Sequence, residues 1–284
     1  KDKDSYRGGP AYYITRGLGE KFRWLAILFA LAITVTYGFV FNAVQSNSIT
    51  AAVAESTGND SVSMKTIIGL VLAAATGVII FGGVQRISKF TQVIVPVMAV
   101  AYIILGIIVL VINWREVPSM LALIVEHALG IREIAGAAVG TAIMQGIRRG
   151  LFSNESGMGS AAIAAAAAKT SHPVRQGLVS MTQTFIDTLI VVTVTGLVII
   201  TAGVWDTGRE TAGTMTASAF STALPGEWGG TLVSLSIIFF AFSTLIGWAY
   251  YGERSLESLV GRAGTVPYRL LFTLTVFLGA TVEL

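Results

Sequence analysis

The sequence predicts an all-α integral membrane protein, and three observations carry that prediction. Of its 284 residues 54% are hydrophobic and only 12% charged, where soluble domains carry about 25% charge. The apolar residues fall in several runs longer than a soluble core helix or strand needs, and mean hydropathy is +0.73. The basic residues lie thinly in the segments between those runs. With no basic face and no interleaved aromatics, the formal charge of +3 and the pI near 9.2 set membrane topology, and no nucleic acid partner is expected. The lack of cysteine removes disulfides and thiolate metal sites. His127 and His172 stand in separate connecting segments, without partners at metal-ligand spacing.

Taken in order, residues 1–21 are polar, with a turn at Gly8-Gly9-Pro10 and Tyr12-Tyr13 placed as interfacial aromatics. A first span is expected from about Phe22 to Ala54. At about 1.5 Å per residue it is roughly 50 Å long and must tilt steeply. A short acidic loop, Glu55 to Ser63, precedes a second span over Met64 to Val84 and a third over Ile87 to Trp114, kinked at Pro96. Pro118 to Gly130 is too short to cross and reads as an amphipathic surface helix. A broken helix occupies Glu133 to Thr170, followed by a fifth span over Gln176 to Val204. A polar connection then runs to about Gly230, with a short re-entrant helix at Ala212 to Leu224. The sixth span is Trp228 to Leu259, and a seventh starts at Pro267. The chain opens on Lys1-Asp2-Lys3-Asp4, without an initiator Met or signal peptide, and closes inside an apolar run, so it reads as the middle of a longer protein.

The break itself is Gly150 to Ser160, Gly-Leu-Phe-Ser-Asn-Glu-Ser-Gly-Met-Gly-Ser. Glycine is costly inside a helix, Ser and Asn compete for backbone hydrogen bonds, and a helix-forming run, Ala161 to Lys169, begins directly afterwards. Two half-helices with an unwound joint are expected. In hydrocarbon such a joint survives only where protein, water or a bound solute satisfies its polar groups, so it is a binding-site hypothesis. The carbonyls of Leu151, Phe152, Ser153 and Asn154 would face a cation, and the amides at the start of the second half-helix, near Ser160, would face a carboxylate. A zwitterion suits both. Close packing is the plain alternative for Gly157-Met158-Gly159, as it is for Gly136/Gly140 and Gly146/Gly150 on the first half-helix.

The stretch 150–162 closely resembles the signature of the sodium:alanine/glycine symporter family, where Ala is commoner at the place of Ser156. Supporting similarities, in order, are Gly8-Gly9-Pro10-Ala11-Tyr12-Tyr13-Ile14, Val44-Gln45-Ser46-Asn47-Ser48, Phe185-Ile186-Asp187-Thr188 and Ile246-Gly247-Trp248-Ala249-Tyr250-Tyr251-Gly252-Glu253. The resemblance implies a LeuT-like inverted-repeat fold, of which this chain supplies helices 3 to 8 and the start of 9, with helix 6 broken. Residues 1–284 are then one incomplete membrane transporter domain, without the other broken helix, helix 1, that completes the site. Helices 3 and 8 hold equivalent places in the two repeats, and they are the two longest spans expected here.

Each further candidate has two readings. Arg149 and Glu155 need partners at membrane depth; a pair between them bracing the joint and a direct contact with substrate are both open. Asp187 either helps hold an ion or hydrogen-bonds neighbouring threonines. Asn42 and Gln45 share a face, and Gln45, inside the matched segment, reaches for substrate or makes an interhelical hydrogen bond. Ser243 and Thr244 resemble the hydroxyl pair that coordinates sodium in LeuT-like transporters; bonding to their own helix is the alternative.

The resemblance implies a sodium-driven symporter of alanine or glycine in the cell membrane. A proton-coupled carrier of the same fold is the nearest rival. A non-transporting membrane subunit would not need the polar joint, and no Ser-His or paired-Asp constellation supports an intramembrane enzyme. Oligomeric state is not encoded in any motif. With residues 1–21 cytoplasmic, thirteen Lys and Arg fall inside and four outside, the other two being Arg148 and Arg149. A cysteine replacing Thr57 in the full-length protein should therefore be labelled by an impermeant maleimide from outside; labelling only from the cytoplasm would invert the topology.

Overall fold

The computed structural model describes residues 6–129, 136–206, 214–226 and 228–282. Gly130, Arg132, Glu133, Arg209 and Ala212, on which parts of the expected topology fall, lie outside the described residues. Every regular element described is helical. Helix α1 is Pro10–Leu18, its proline in the first turn, where a missing N–H costs nothing. Helices α2, Arg23–Val35, and α3, Phe41–Thr57, are joined by a π-helical turn, Thr36–Val40, into one span of 38 residues, Glu20–Thr57. Next come α4, Val62–Ile80, α5, Gly83–Ile112, with Pro96 inside it, and the short α6, Val117–Ala128. The broken region comprises α7, Gly136–Ser153, α8, Glu155–Met158, and α9, Ala161–Ala165. Helices α10, Pro173–Thr184, and α11, Val192–Thr201, flank a second π-helical turn, Phe185–Val191. The chain continues as α12, Met215–Ala223, α13, Trp228–Val260, and α14, Thr265–Thr281.

Six helices among the described residues are long and apolar enough to cross a membrane: Glu20–Thr57, Val62–Ile80, Gly83–Ile112, Pro173–Thr201, Trp228–Val260 and Arg262–Thr281. This is the pattern of a multi-pass membrane protein, and it follows the expected spans with local corrections. The acidic loop is shorter, because α3 runs to Thr57 and stops at Gly58 in a left-handed conformation. The second span ends at Ile80, earlier than Val84, in a turn at Phe81-Gly82. Arg86 therefore lies inside α5, where its guanidinium reaches back to the Val78 carbonyl at 2.6 Å. The seventh segment is a whole 20-residue helix, because Pro267 sits in the first turn of α14 and does not delay it.

Contacts divide the chain into two compact units. One holds residues up to Val100, Ala162–Ala168 and Ser234–Leu284. In it α14 packs along α3 and α4. Asn42, 0% exposed, donates to the Gly38 carbonyl at 3.1 Å and, across helices, to the Phe272 carbonyl at 3.0 Å. Tyr268 is wedged against Gly38 and Gly252, positions where a side chain would collide with its ring or hydroxyl. Tyr37 stacks on Trp248 with ring centroids 5.3 Å apart. The other unit spans Ala101–Ala161 and Lys169–Val233. Its core is α11 against α12, with Val198 and Phe220 fully buried and the Tyr102 hydroxyl 2.7 Å from that of Thr195.

An interhelical hydrogen bond inside a membrane bundle contributes about 0.6 kcal/mol on average and up to about 1.7 kcal/mol. Asn42→Ala should lower unfolding free energy in detergent by about 1 kcal/mol. Asn47→Ala, which removes an exposed bond to the Val282 carbonyl, should cost less. Denaturant titration of the two variants checks the order.

Candidate functional site

Two backbone departures make the break. Asn154 is extended, at φ −134 and ψ 156, and Gly159 is left-handed, at φ 75 and ψ 6. Helix resumes directly after Asn154 because that residue caps it: its Oδ1 accepts from Gly157 N at 2.8 Å. The return is tight. A Cβ at Gly157 would run into the Leu151 carbonyl group, so α8 folds back over the last turn of α7 and only glycine fits there. At the far end Ser160, fully buried, donates its N–H to the Glu155 carbonyl at 3.1 Å and its hydroxyl to the Glu155 carboxylate.

The break is thus narrower than its composition suggested. Leu151, Phe152 and Ser153 close α7 as helix, and Asn154 alone is unwound before α8 begins. The expected helix over Ala161 to Lys169 is the five residues of α9, after which the chain turns. The amides near Ser160 are engaged by Glu155. Arg149, exposed on α7, forms no ion pair with Glu155, whose carboxylate accepts from the Ser160 hydroxyl. Gly140, Gly146 and Gly150 have no atom within 4 Å of where a side chain would begin, so no described element uses them for close approach.

Three hydrogen bonds tie the break to the fifth span. Ser153 Oγ donates to Asp187 Oδ2 at 2.9 Å, Asn154 Nδ2 donates to Thr188 Oγ1 at 3.1 Å, and the hydroxyls of Ser156 and Thr184 lie 3.0 Å apart. Thr188 also reaches Asp187 Oδ2 at 3.4 Å. Asp187 and Thr188 belong to the π-helical turn, whose extra residue re-aims side chains; such turns recur at functional sites. The half-buried Asp187 carboxylate adjoins Ser153, the last residue of α7, where the helix dipole is negative and the final carbonyls lack helical partners. Among the described residues no group of three or more His, Cys, Asp or Glu could hold a metal. The oxygens gathered here, one carboxylate with hydroxyls and helix-end carbonyls, are hard donors.

The other candidates are in the first unit. Gln45 is half-buried on α3. Ser243 donates to its own helix at Phe240 O, 2.9 Å away, while Thr244, half-buried, makes no hydrogen bond among the described residues. Sequence reasoning overlooked Thr184, Thr188 and Ser156. Thr184, Asp187 and Thr188, at i, i+3 and i+4, form a polar face on an apolar span, which is the pattern that could have revealed them. His172 caps α10 through Nδ1, which accepts from Val174 N at 3.2 Å.

Known proteins are similar to this sequence. A family model described as the sodium:alanine symporter family matches residues 1–284. The chain is 43% identical over 288 residues to the sodium/alanine symporter AgcS of Methanococcus maripaludis, with 100% of this chain and 62% of that protein covered. It is 44% identical over 259 residues to a Bacillus subtilis protein named "Probable sodium/glutamine symporter GlnT", covering 91% and 53% of the two chains. With the amino-acid carrier protein AlsT of Bacillus subtilis the identity is 43% over 257 residues, covering 90% and 53%. The chain therefore spans less than two thirds of the length of each of these relatives. From the end-to-end match, and from the level of identity to transporters on both sides of the helix break, this chain belongs to the sodium:alanine symporter family, a family of transporters and not of enzymes.

Proposed function

We propose that the full-length protein is a sodium-driven symporter of small neutral amino acids, alanine or glycine, working by alternating access around the break at Asn154. The observation that carries this reading is the hydrogen bond from Ser153 to Asp187, which sets a carboxylate beside the carbonyl end of α7. Sodium is held there by Asp187 and Ser153, a site in which one full negative charge offsets the ion's desolvation. The substrate ammonium faces the same carbonyl end, near Leu151 and Phe152. Asn154 positions the joint through its cap and its bond to Thr188. Gln45 takes part in substrate recognition. Glu155 braces the joint, and Arg149 contributes to gating.

The wider reading is a LeuT-like inverted-repeat fold in which the described spans are helices 3 to 9 of one transporter domain, in a cell membrane with residues 1–21 cytoplasmic. In support, Glu20–Thr57 and Trp228–Val260, which that reading makes helices 3 and 8, are the two longest of the six spans. A second ion position at Ser243 and Thr244 is favoured by one observation: Thr244 leaves its hydroxyl outside the i−4 bonding that Thr34, Thr50 and Thr195 adopt in their helices.

In the full-length parent, Asp187→Asn should raise the sodium concentration for half-maximal uptake of labelled alanine roughly tenfold or more, the effect of losing about 1.4 kcal/mol of ion binding. Thr244→Ala should raise it roughly threefold, since a neutral oxygen contributes less than a charge. Alanine affinity at saturating sodium should change little in both. Unchanged sodium activation in Asp187→Asn, at normal expression, would move the ion away from the break. Uptake driven by a proton gradient without sodium would make Asp187 a proton carrier and the protein a proton-coupled one.

A further inference from the structure

We propose that Arg7 is a positioning residue for the segment beyond the break, acting through a strap, residues 7–10, that its ion pair with Glu257 latches against α13. The proposal rests on the reading of the break as the transport site. Everything it uses lies within the first unit.

The strap is seated on the segment after the break. A Cβ at Gly8 would stand 2.7 Å from Ala166 Cβ, and one at Gly9 would stand 2.6 Å from Ile163 Cγ1, so the strap backbone lies directly on the side chains of Ala166 and Ile163. Gly9 also has φ +113, which L-residues rarely adopt, so the approach is built for glycine at both steps. Ile163 is buried by this contact region. Just before the two glycines, Arg7 Nη2 pairs with Glu257 Oε1 at 2.7 Å, near the end of α13. Strap, α9 and α13 are thereby clamped together at the end of the unit that the distribution of basic residues reads as cytoplasmic.

What makes this clamp releasable is how the neighbouring charges divide. Glu253 and Glu257 are 5% and 6% exposed, and a buried carboxylate stripped of its cation is costly. Glu253 is taken by Arg269 of α14 in a two-pronged pair, 2.6 and 2.9 Å, which braces α13 to α14. Glu257 is shared: Oε2 accepts from Arg254 on its own helix, Oε1 takes Arg7, and Arg262 lies 3.8 Å from Oε1. When Arg7 leaves, Glu257 keeps Arg254 and is not stranded. Arg7, whose side chain is 27% exposed against 15% for Arg269, lies nearer water than the cation of the other pair. The strap also borders a small cleft lined by Pro10, Tyr12, Phe29, Ile163, Arg254 and Ser255. The Glu253–Arg269 pair is the permanent brace, and the Arg7–Glu257 pair is the latch.

The test uses the full-length parent carrying a single cysteine at Ala165, in inside-out vesicles, with the rate of labelling by an impermeant maleimide as the readout. Labelling is measured without sodium or substrate, so it decides the latch even if the symport reading fails. Arg7→Gln should raise the rate roughly tenfold, the scale of one lost charged hydrogen bond. Arg7→Lys, which keeps the charge, should stay near the parent. Gly8→Val leaves every charge in place but wedges the strap off Ala166, and should also raise the rate roughly tenfold; it carries the test if Arg7→Gln does not fold. In uptake assays Arg7→Gln should change the maximal rate while leaving half-saturating sodium unaltered, a split that general destabilisation does not produce. Labelling at the parental rate in a folded Arg7→Gln or Gly8→Val protein, or equal rates for Arg7→Gln and Arg7→Lys, would overturn the latch.

Discussion

In hydrocarbon an unpaired backbone amide or carbonyl costs several kcal/mol, and this constraint governs how the chain can interrupt a helix at all. Between Ser153 and Ser160 it is met within the interruption itself, by backbone bonds from Met158, Gly159 and Ser160 and by one side-chain cap. Asn154 caps α8 with its carbonyl and reaches Thr188 with its amide, and Glu155 receives both the N–H and the hydroxyl of Ser160. Glycine at 157 lets the chain fold back on α7, and glycine at 159 lets it turn out again. The result is a short, internally satisfied joint, not a long unwound loop. The Asp187 carboxylate lies beside this joint, accepting from Ser153.

The same economy explains the fifth span. An α-helix carrying Thr184, Asp187 and Thr188 would still present a polar stripe, but the π-helical turn at Phe185–Val191 adds a residue and lets the adjacent Asp187 and Thr188 both meet the break. In the first unit a comparable turn, Thr36–Val40, carries Gly38, which takes the Tyr268 ring on one side and the Asn42 amide on its carbonyl. Buried polar groups there serve packing: Asn42 joins α3 to α14, and the two-pronged Glu253–Arg269 pair joins α13 to α14. Asn42, which shares a face with Gln45, makes an interhelical hydrogen bond to the Phe272 carbonyl.

Long apolar runs were legible because a bilayer asks for a length and a composition that nothing else in the chain mimics. The sixth span, expected over Trp228 to Leu259 and found over Trp228–Val260, shows how sharply that signal ends. Breaks in helix were legible from glycine and Asn, whose local preferences need no partner. Extents were not: the end of α3 at Gly58, the turn at Phe81-Gly82 and the shortness of α9 depend on where each chain segment meets its neighbours.

By itself the sequence determined the membrane class, the order of the spans, the place of the interruption and the family signature across it, because hydropathy, helix-breaking chemistry and motif order are all local properties of the chain. Only the tertiary structure decided which polar groups meet. Ser153 lies 34 positions from Asp187, Arg7 lies 250 from Glu257, and Asn42 lies 230 from Phe272. Such pairings follow from helix register and crossing, which side-chain packing along whole helices sets and no short stretch of sequence contains. The same register gave Ser243 its own helix's carbonyl and left Thr244 unbonded, two adjacent hydroxyls that composition alone treats alike.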